Sequence, residues 1–216
     1  MEPYKSQFLE VCLQHGILRF GEFKLKSGRI SPYFFNAGLF NDGRLLQEVG
    51  SAYAHLLSES ITSPYMLYGP AYKGIPLASV TALQLSALHN QSINYAFNRK
   101  EEKDHGEGGS IVGASLQGDV VVIDDVITAG TSVRESVDII NQNQARLAAV
   151  VIALDRQEVA PKSELSAVQE VEQFLGVPVF SILKLSDLIS HLELNNEMQE
   201  YLEPMKNYQS LYGAKA

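Results

Sequence analysis

The stretch that most constrains this chain runs Val120-Val121-Val122-Ile123-Asp124-Asp125-Val126-Ile127-Thr128-Ala129-Gly130-Thr131-Ser132-Val133-Arg134-Glu135. Its first four residues are all β-branched, as a parallel strand buried on both faces requires. Two adjacent carboxylates follow at once. The loop from Thr128 to Ser132 is made of small residues, hydroxyls and one glycine, so its backbone N–H groups and hydroxyls can converge on one spot. A helical pattern comes next and adds a positive N-terminal end. The stretch therefore reads as a phosphate cradle in front of a carboxylate pair. Phosphate and carboxylate repel, so the fitting ligand carries a phosphate at one end and hydroxyls a short distance away. A phosphorylated sugar has that form.

A strand ending in acidic residues also occurs in P-loop enzymes. No G-x-x-x-x-G-K-[ST] is present in the chain, which sets that class aside. At 216 residues the chain can form one substantial domain, with or without a smaller subdomain. A formal net charge of −8 argues against a nucleic-acid partner, so any anionic ligand must be met by local cations. The lone Cys12 excludes an internal disulfide and suits a reducing compartment. No apolar run reaches the length of about 18 residues that a membrane helix needs, and no secretory signal opens the chain. The expectation is a soluble, cytoplasmic protein with neither membrane nor nucleic-acid partner.

In order, Pro3 to His15 reads as a helix stopped by Gly16, and residues 23–38 as short strands or a hairpin broken by Gly and Pro. Asp42 is placed to cap a long helix from Gly43 to about Ser60. Tyr65 to Gly69 and Ile93 to Asn98 read as core strands. Between them lies the turn Gly69-Pro70-Ala71-Tyr72-Lys73-Gly74, a second strand-to-helix turn of anion-binding type with one lysine. Residues 99–109, Arg-Lys-Glu-Glu-Lys-Asp-His-Gly-Glu-Gly-Gly, mix cations, acids and glycines and read as a solvated loop or a glycine-hinged lid.

Ile111 to Leu116 reads as a return strand. Thr131 or Ser132 is placed to cap the helix after the cradle. Leu147 to Leu154 and Val177 to Leu183 are further buried strands, with a helix around Lys162 to Leu175 between them. A helical region closes the chain. Strands alternating with helices give an α/β fold, a doubly wound and mainly parallel sheet of about five strands. In the order 2-1-3-4-5 the two anion-binding turns lie side by side at the topological switch point. The division expected is residues 1–60 as N-terminal helix and hood, 61–185 as core, and 186–216 as a C-terminal helical region on the core or hood.

Four segments carry a family likeness. The Val120 stretch is similar to the binding signature of the type I phosphoribosyltransferases. Phe-x-Leu-Lys-Ser-Gly-Arg-x-Ser-Pro-Tyr-Phe-Phe-Asn, Gly-Pro-Ala-Tyr-Lys-Gly-Ile-Pro and Arg-Lys-x-x-Lys-Asp-His-Gly-Glu-Gly resemble the hood, pyrophosphate loop and catalytic loop of orotate phosphoribosyltransferases. The resemblance runs from about residue 20 to 185 and implies transfer of ribose 5-phosphate from phosphoribosyl pyrophosphate to orotate.

It further implies roles. Asp124 and Asp125 lie beside the ribose, and Val126, Ile127, Thr128, Ala129, Gly130, Thr131 and Ser132 hold the 5-phosphate. Lys26, Tyr72, Lys73, Arg99, Lys100, Lys103 and His105 serve the diphosphate, with Lys73, Arg99, Lys103 and His105 catalytic alongside the two aspartates. Phe34, Phe35, Thr128 and Arg156 bind orotate. Without the family, Arg156 reads as an exposed arginine pairing with Asp155 or Glu158. The resemblance also implies a homodimer whose 99–109 loop is shared across the interface. Mg²⁺ is expected to arrive with the diphosphate near Asp124 and Asp125, since no cluster has the spacing of a dedicated metal site. A transferase for another base, or a regulator that binds phosphoribosyl pyrophosphate, stand as alternatives.

Overall fold

In the computed structural model, residues 1–25, 27–101, 110–128, 130–160 and 163–215 are described. The first elements are α1 (Pro3–Gln14), β1 (Leu18–Lys24), β2 (Ile30–Phe35), α2 (Gly43–Ser60), β3 (Met66–Gly69), α3 (Gly74–His89) and β4 (Tyr95–Asn98). Next come β5 (Ile111–Gly113), β6 (Asp119–Asp124), α4 (Thr131–Gln142), β7 (Arg146–Asp155), α5 (Ala167–Leu175), β8 (Val179–Lys184), α6 (Leu185–Leu194) and α7 (Leu202–Tyr212).

The main sheet has six strands in the order β5-β4-β3-β6-β7-β8. Its five parallel members keep the 2-1-3-4-5 order expected from the sequence. The sixth, β5, pairs antiparallel with β4 and forms the edge. It is the return strand expected from Ile111 to Leu116, shortened to three residues, and it brings the sheet to six strands where about five were expected. The hood hairpin is a separate two-stranded antiparallel sheet, with Leu18 opposite Phe35 and Lys24 opposite Ile30.

β6 sits at the centre because its four inner residues are all apolar and β-branched. Val120, Val121, Val122 and Ile123 are all fully buried. Alternation along the strand sends Val121 and Ile123 into a core with α1, α2, α3, α6 and α7. Val120 and Val122 enter the opposite core with α4 and α5. Burying one such side chain on each face is worth about 1.5–3 kcal/mol per residue, so register is strongly fixed. α2, grouped above with the hood, packs on α3 in the first core. Asp42 caps it as expected, its Oδ1 accepting from Leu45 N at 2.9 Å, worth about 1 kcal/mol.

Two boundaries differ from expectation. The helix expected from about Lys162 begins at Ala167, where Ser166 and Gln169 form a reciprocal capping box. α4 is capped by Gly130 rather than by Thr131 or Ser132. Gly130 has φ 66°, a left-handed conformation that a side chain resists. No helix among the described residues is long and apolar enough to cross a membrane.

Candidate active site

Parallel register brings two strand-to-helix turns to the same edge. Tyr68 pairs with Val122, so the turn after β3 and the carboxylates after β6 are neighbours. The β3–α3 turn is shaped by exclusion of volume. A Cβ on Gly69 would lie 2.1 Å from the Gly74 carbonyl oxygen, and one on Gly74 would lie 2.9 Å from the Ile123 carbonyl oxygen. Only glycines permit this approach of backbone to backbone. Gly74 N closes the turn on Pro70 O at 3.0 Å. Asn98, at the end of β4, accepts from Ala71 N at 2.8 Å and pins the turn to the neighbouring strand. The Ala71–Tyr72 peptide is cis.

The β6–α4 turn is shaped by charge. Asp124 and Asp125 are 8% and 6% exposed. Asp124 accepts from Asp125 N at 2.9 Å and from Ser132 Oγ at 3.0 Å. Its backbone carbonyl takes the Tyr53 hydroxyl of α2 at 2.7 Å. Burial first, and the adjacent Asp125 second, push the Asp124 carboxyl up to about 6. Val126 packs into the α2–α3 core and Ile127 into the α4–α5 core. Those two side chains anchor the turn, so only their backbone is left for a ligand. Thr128 and Thr131 are exposed.

One bond joins the two turns. Lys73 Nζ donates to Asp125 Oδ2 at 2.6 Å, from a side chain that is 56% exposed. The partly solvated ammonium holds a buried carboxylate yet keeps room to swing outward. Beside it a cavity of about 250 Å³ is lined by Gly38, Phe40, Leu46, Tyr72, Lys73 and Leu77. It lies between the segment after the hairpin and the β3–α3 turn. A larger cavity of about 450 Å³, between α4 and α5, touches Gly130 and Arg134 but neither carboxylate.

The 99–109 segment springs from the same edge. Asn98 pairs with Ile111, and Arg99 N donates to Ser110 O at 2.7 Å, so its two stems are locked together. Lys100 Nζ lies 5.3 Å from the centre of the Tyr72 ring, bringing the stem to the β3–α3 turn. Lys26, Lys103, His105 and Ala129 lie outside the described residues.

Arg156 follows β7 and is 16% exposed. Its Nη2 lies 2.6 Å from Glu158 Oε1 and donates to Ser31 Oγ at 3.2 Å. The guanidinium covers the Tyr33 ring at 4.4 Å. The Glu158 pairing foreseen without the family is therefore present, but buried rather than exposed. Asp155 instead accepts from Gln157 N. Phe34 stacks on Phe23 at 5.5 Å and Phe35 packs edge-on to Phe40 at 6.5 Å. The hood ring against Arg156 is Tyr33.

A model described as a phosphoribosyl transferase domain matches residues 39–180. An orotate phosphoribosyltransferase of Shewanella oneidensis is 56% identical over 216 residues, covering all of both chains. One from Salmonella typhi is 54% identical over 213 residues, 99% of this chain and all of that one. The chain belongs to the orotate phosphoribosyltransferases. The crystal structure of the orotate phosphoribosyltransferase from Francisella tularensis superposes with a TM-score of 0.88 at 40% identity, covering 96% of this chain and all of that one.

Beyond the residues assigned from family motifs, the fold brings three to this candidate orotate phosphoribosyltransferase site that sequence reading passed over, Tyr53, Asn98 and Tyr33. Tyr53 read as helix core and Asn98 as the end of a strand, yet one holds the Asp124 carbonyl and the other holds the β3–α3 turn. Tyr33 and Glu158 meet across 125 residues of chain. No local pattern announces such a contact.

Proposed function

We propose a division of labour within one crevice. The chain is a pentosyltransferase: it moves ribose 5-phosphate from phosphoribosyl pyrophosphate to orotate, giving orotidine 5′-monophosphate and pyrophosphate, a step of pyrimidine nucleotide synthesis. Asp124 and Asp125 orient the ribose hydroxyls and offset positive charge developing on the sugar. The Val126–Ser132 backbone and hydroxyls hold the 5-phosphate at the N-terminal end of α4. Tyr72 contacts the diphosphate, and Lys73, with Lys26, Arg99, Lys100, Lys103 and His105, neutralises its charge as it departs. Arg156 presents a planar fork to the orotate carboxylate, while Phe34, Phe35 and Thr128 border the base.

Orotate is already anionic, so no strong base is needed to activate it. The demanding event is loss of pyrophosphate from C1 through an oxocarbenium-like transition state. The bond from Lys73 to Asp125 is the observation that carries this reading, because it puts the leaving-group cation and the sugar carboxylates in contact. When the diphosphate enters, Lys73 turns to it and frees Asp125 for the ribose. Closure of the 99–109 segment keeps water from intercepting the cation.

Among the described residues no group of three or more His, Cys, Asp or Glu could hold a metal. Two hard carboxylates beside a diphosphate suit Mg²⁺, which keeps water and substrate oxygens as ligands. Asp124 and Asp125 would hold the ion with those oxygens, and when bound it supplies neutralising charge. A cytoplasmic homodimer, its 99–109 segments exchanged between subunits, completes the reading.

Orotate consumption followed by ultraviolet absorbance with phosphoribosyl pyrophosphate and Mg²⁺ tests it. Turnover is expected. Turnover only with another base would replace the base assignment, and binding without turnover on any base would favour a regulator. For the shared segment, Lys103→Ala subunits mixed with Asp125→Ala subunits should regain activity in hybrid dimers. Inactive hybrids would count against exchange.

A further inference from the structure

Arg29 stands inside the hood motif, yet neither the diphosphate nor the base claims it. Its Nη1 donates to the Val159 carbonyl at 3.1 Å and lies 3.8 Å from Glu158 Oε2. Its guanidinium covers the Tyr212 ring of α7 at 4.7 Å. Glu158 is thus shared. Oε1 meets Arg156 Nη2 at 2.6 Å and accepts from the Tyr33 hydroxyl at 3.2 Å, while Oε2 faces Arg29. All three charged side chains are largely buried, at 21% exposed for Arg29, 11% for Glu158 and 16% for Arg156. Screening by salt is weak at such depth, so the balance of charge inside the group decides what it attracts.

Two guanidiniums stay charged at any working pH. Against one carboxylate they leave a single net positive charge. Without Arg29, Arg156 and Glu158 cancel, and an incoming carboxylate would meet a pair with no net positive charge. The backbone keeps the group closed: Val159 N donates to Tyr212 O at 2.8 Å and Ala214 N to Gln157 O at 2.9 Å, tying the chain end over Glu158.

We infer that Arg29 is a positioning residue for the base, offsetting Glu158 so that the charge of Arg156 is available to the carboxylate of orotate. The inference rests on the reading of Arg156 as the residue that meets that carboxylate. It makes selection of an anionic base a property of the charge balance of the trio. It also gives α7 a part in base binding, since the Tyr212 ring lies under the Arg29 guanidinium.

Steady-state kinetics of the intact enzyme on four variants separate the possibilities. Arg29→Gln is expected to raise KM for orotate about 10-fold or more, with kcat within about threefold and KM for phosphoribosyl pyrophosphate unchanged. Adding Glu158→Gln removes the carboxylate that cancels Arg156, so the double variant should return KM to within about threefold of the parent. Arg29→Lys, which keeps the charge, should also stay within about threefold, and it serves if Arg29→Gln does not fold. An unchanged KM in Arg29→Gln, a double variant no better than Arg29→Gln, or Arg29→Lys as impaired as Arg29→Gln would overturn the inference. Arg156→Gln is the control on the underlying reading. If it leaves KM for orotate untouched, the carboxylate assignment fails and this inference falls with it. A large Arg156→Gln effect beside a silent Arg29→Gln overturns the role of Arg29 alone.

Discussion

The turn after β3 and the turn after β6 leave adjacent strands at the same edge of one sheet, and each leads into a helix. The first is held by closeness of backbone, with Gly69 against Gly74 and Gly74 against Ile123, and it carries the cation Lys73. The second is held by polar contacts around two buried carboxylates, with Tyr53 and Ser132 turned onto Asp124. A sterically fixed turn can present a long mobile cation without losing shape. A turn built on buried charge stores cost in the free enzyme, which a ligand with hydroxyls and a cation relieves. The Lys73–Asp125 bond is where the two designs meet.

The largest expected effect comes from removing the cation. Lys73→Ala should lower kcat/KM for phosphoribosyl pyrophosphate by about 2–4 kcal/mol, roughly 30- to 1,000-fold, as loss of one transition-state donor does. Steady-state assays at saturating orotate measure it.

Asp124→Asn should separate function from stability. The folded carboxyl lies above its ordinary value, near 6 against 3.8. Between those values the folded state binds more protons than the unfolded one, so this group's unfavourable contribution grows as pH rises and is complete above about 6. The variant should turn over more slowly yet be more stable in urea by about 3 kcal/mol at pH 7, an advantage that vanishes below about pH 4. Equal stability of the two proteins across that window would show that the carboxyl is not held at a cost.

The steric half of the comparison is tested by Gly69→Ala and Gly130→Ala. The first puts a Cβ into a backbone carbonyl and should cost about 1–3 kcal/mol or more with a higher KM for phosphoribosyl pyrophosphate. The second meets only side-chain atoms, at 3.3 Å and beyond, and keeps mainly the strain of φ 66°, about 1 kcal/mol. Urea melts that reversed this order would break the contrast between the turns. The smallest effect expected is that of Asn98→Ala, about 1 kcal/mol for one lost bond to Ala71 N, read in the same melts.

The two turns were also unequally legible in the sequence. Val120 to Ile123 cannot be other than a buried strand, and the order 2-1-3-4-5 follows from helices alternating with strands. The glycines at 69 and 74 and the paired aspartates mark both turns locally. β5 was foreseen as a return strand but at twice its length, because three residues show no period of their own to mark where it stops. Gly130 took the cap from Thr131 and Ser132 because Ser132 turns its hydroxyl to Asp124 instead, a choice made by tertiary charge. The base side was least legible. Tyr33, Arg29 and Glu158 come together only when the hairpin and chain end close over β7, and alternation along β2 said nothing of what each face would meet.

A double-mutant cycle on kcat/KM for phosphoribosyl pyrophosphate, using Lys73→Ala, Asp125→Asn and their combination, tests the central claim most directly. If the two turns work as one site across the 2.6 Å bond, the losses should fall short of additivity by at least about 1 kcal/mol. Losses that add within about 0.5 kcal/mol would show two independent sites and contradict it.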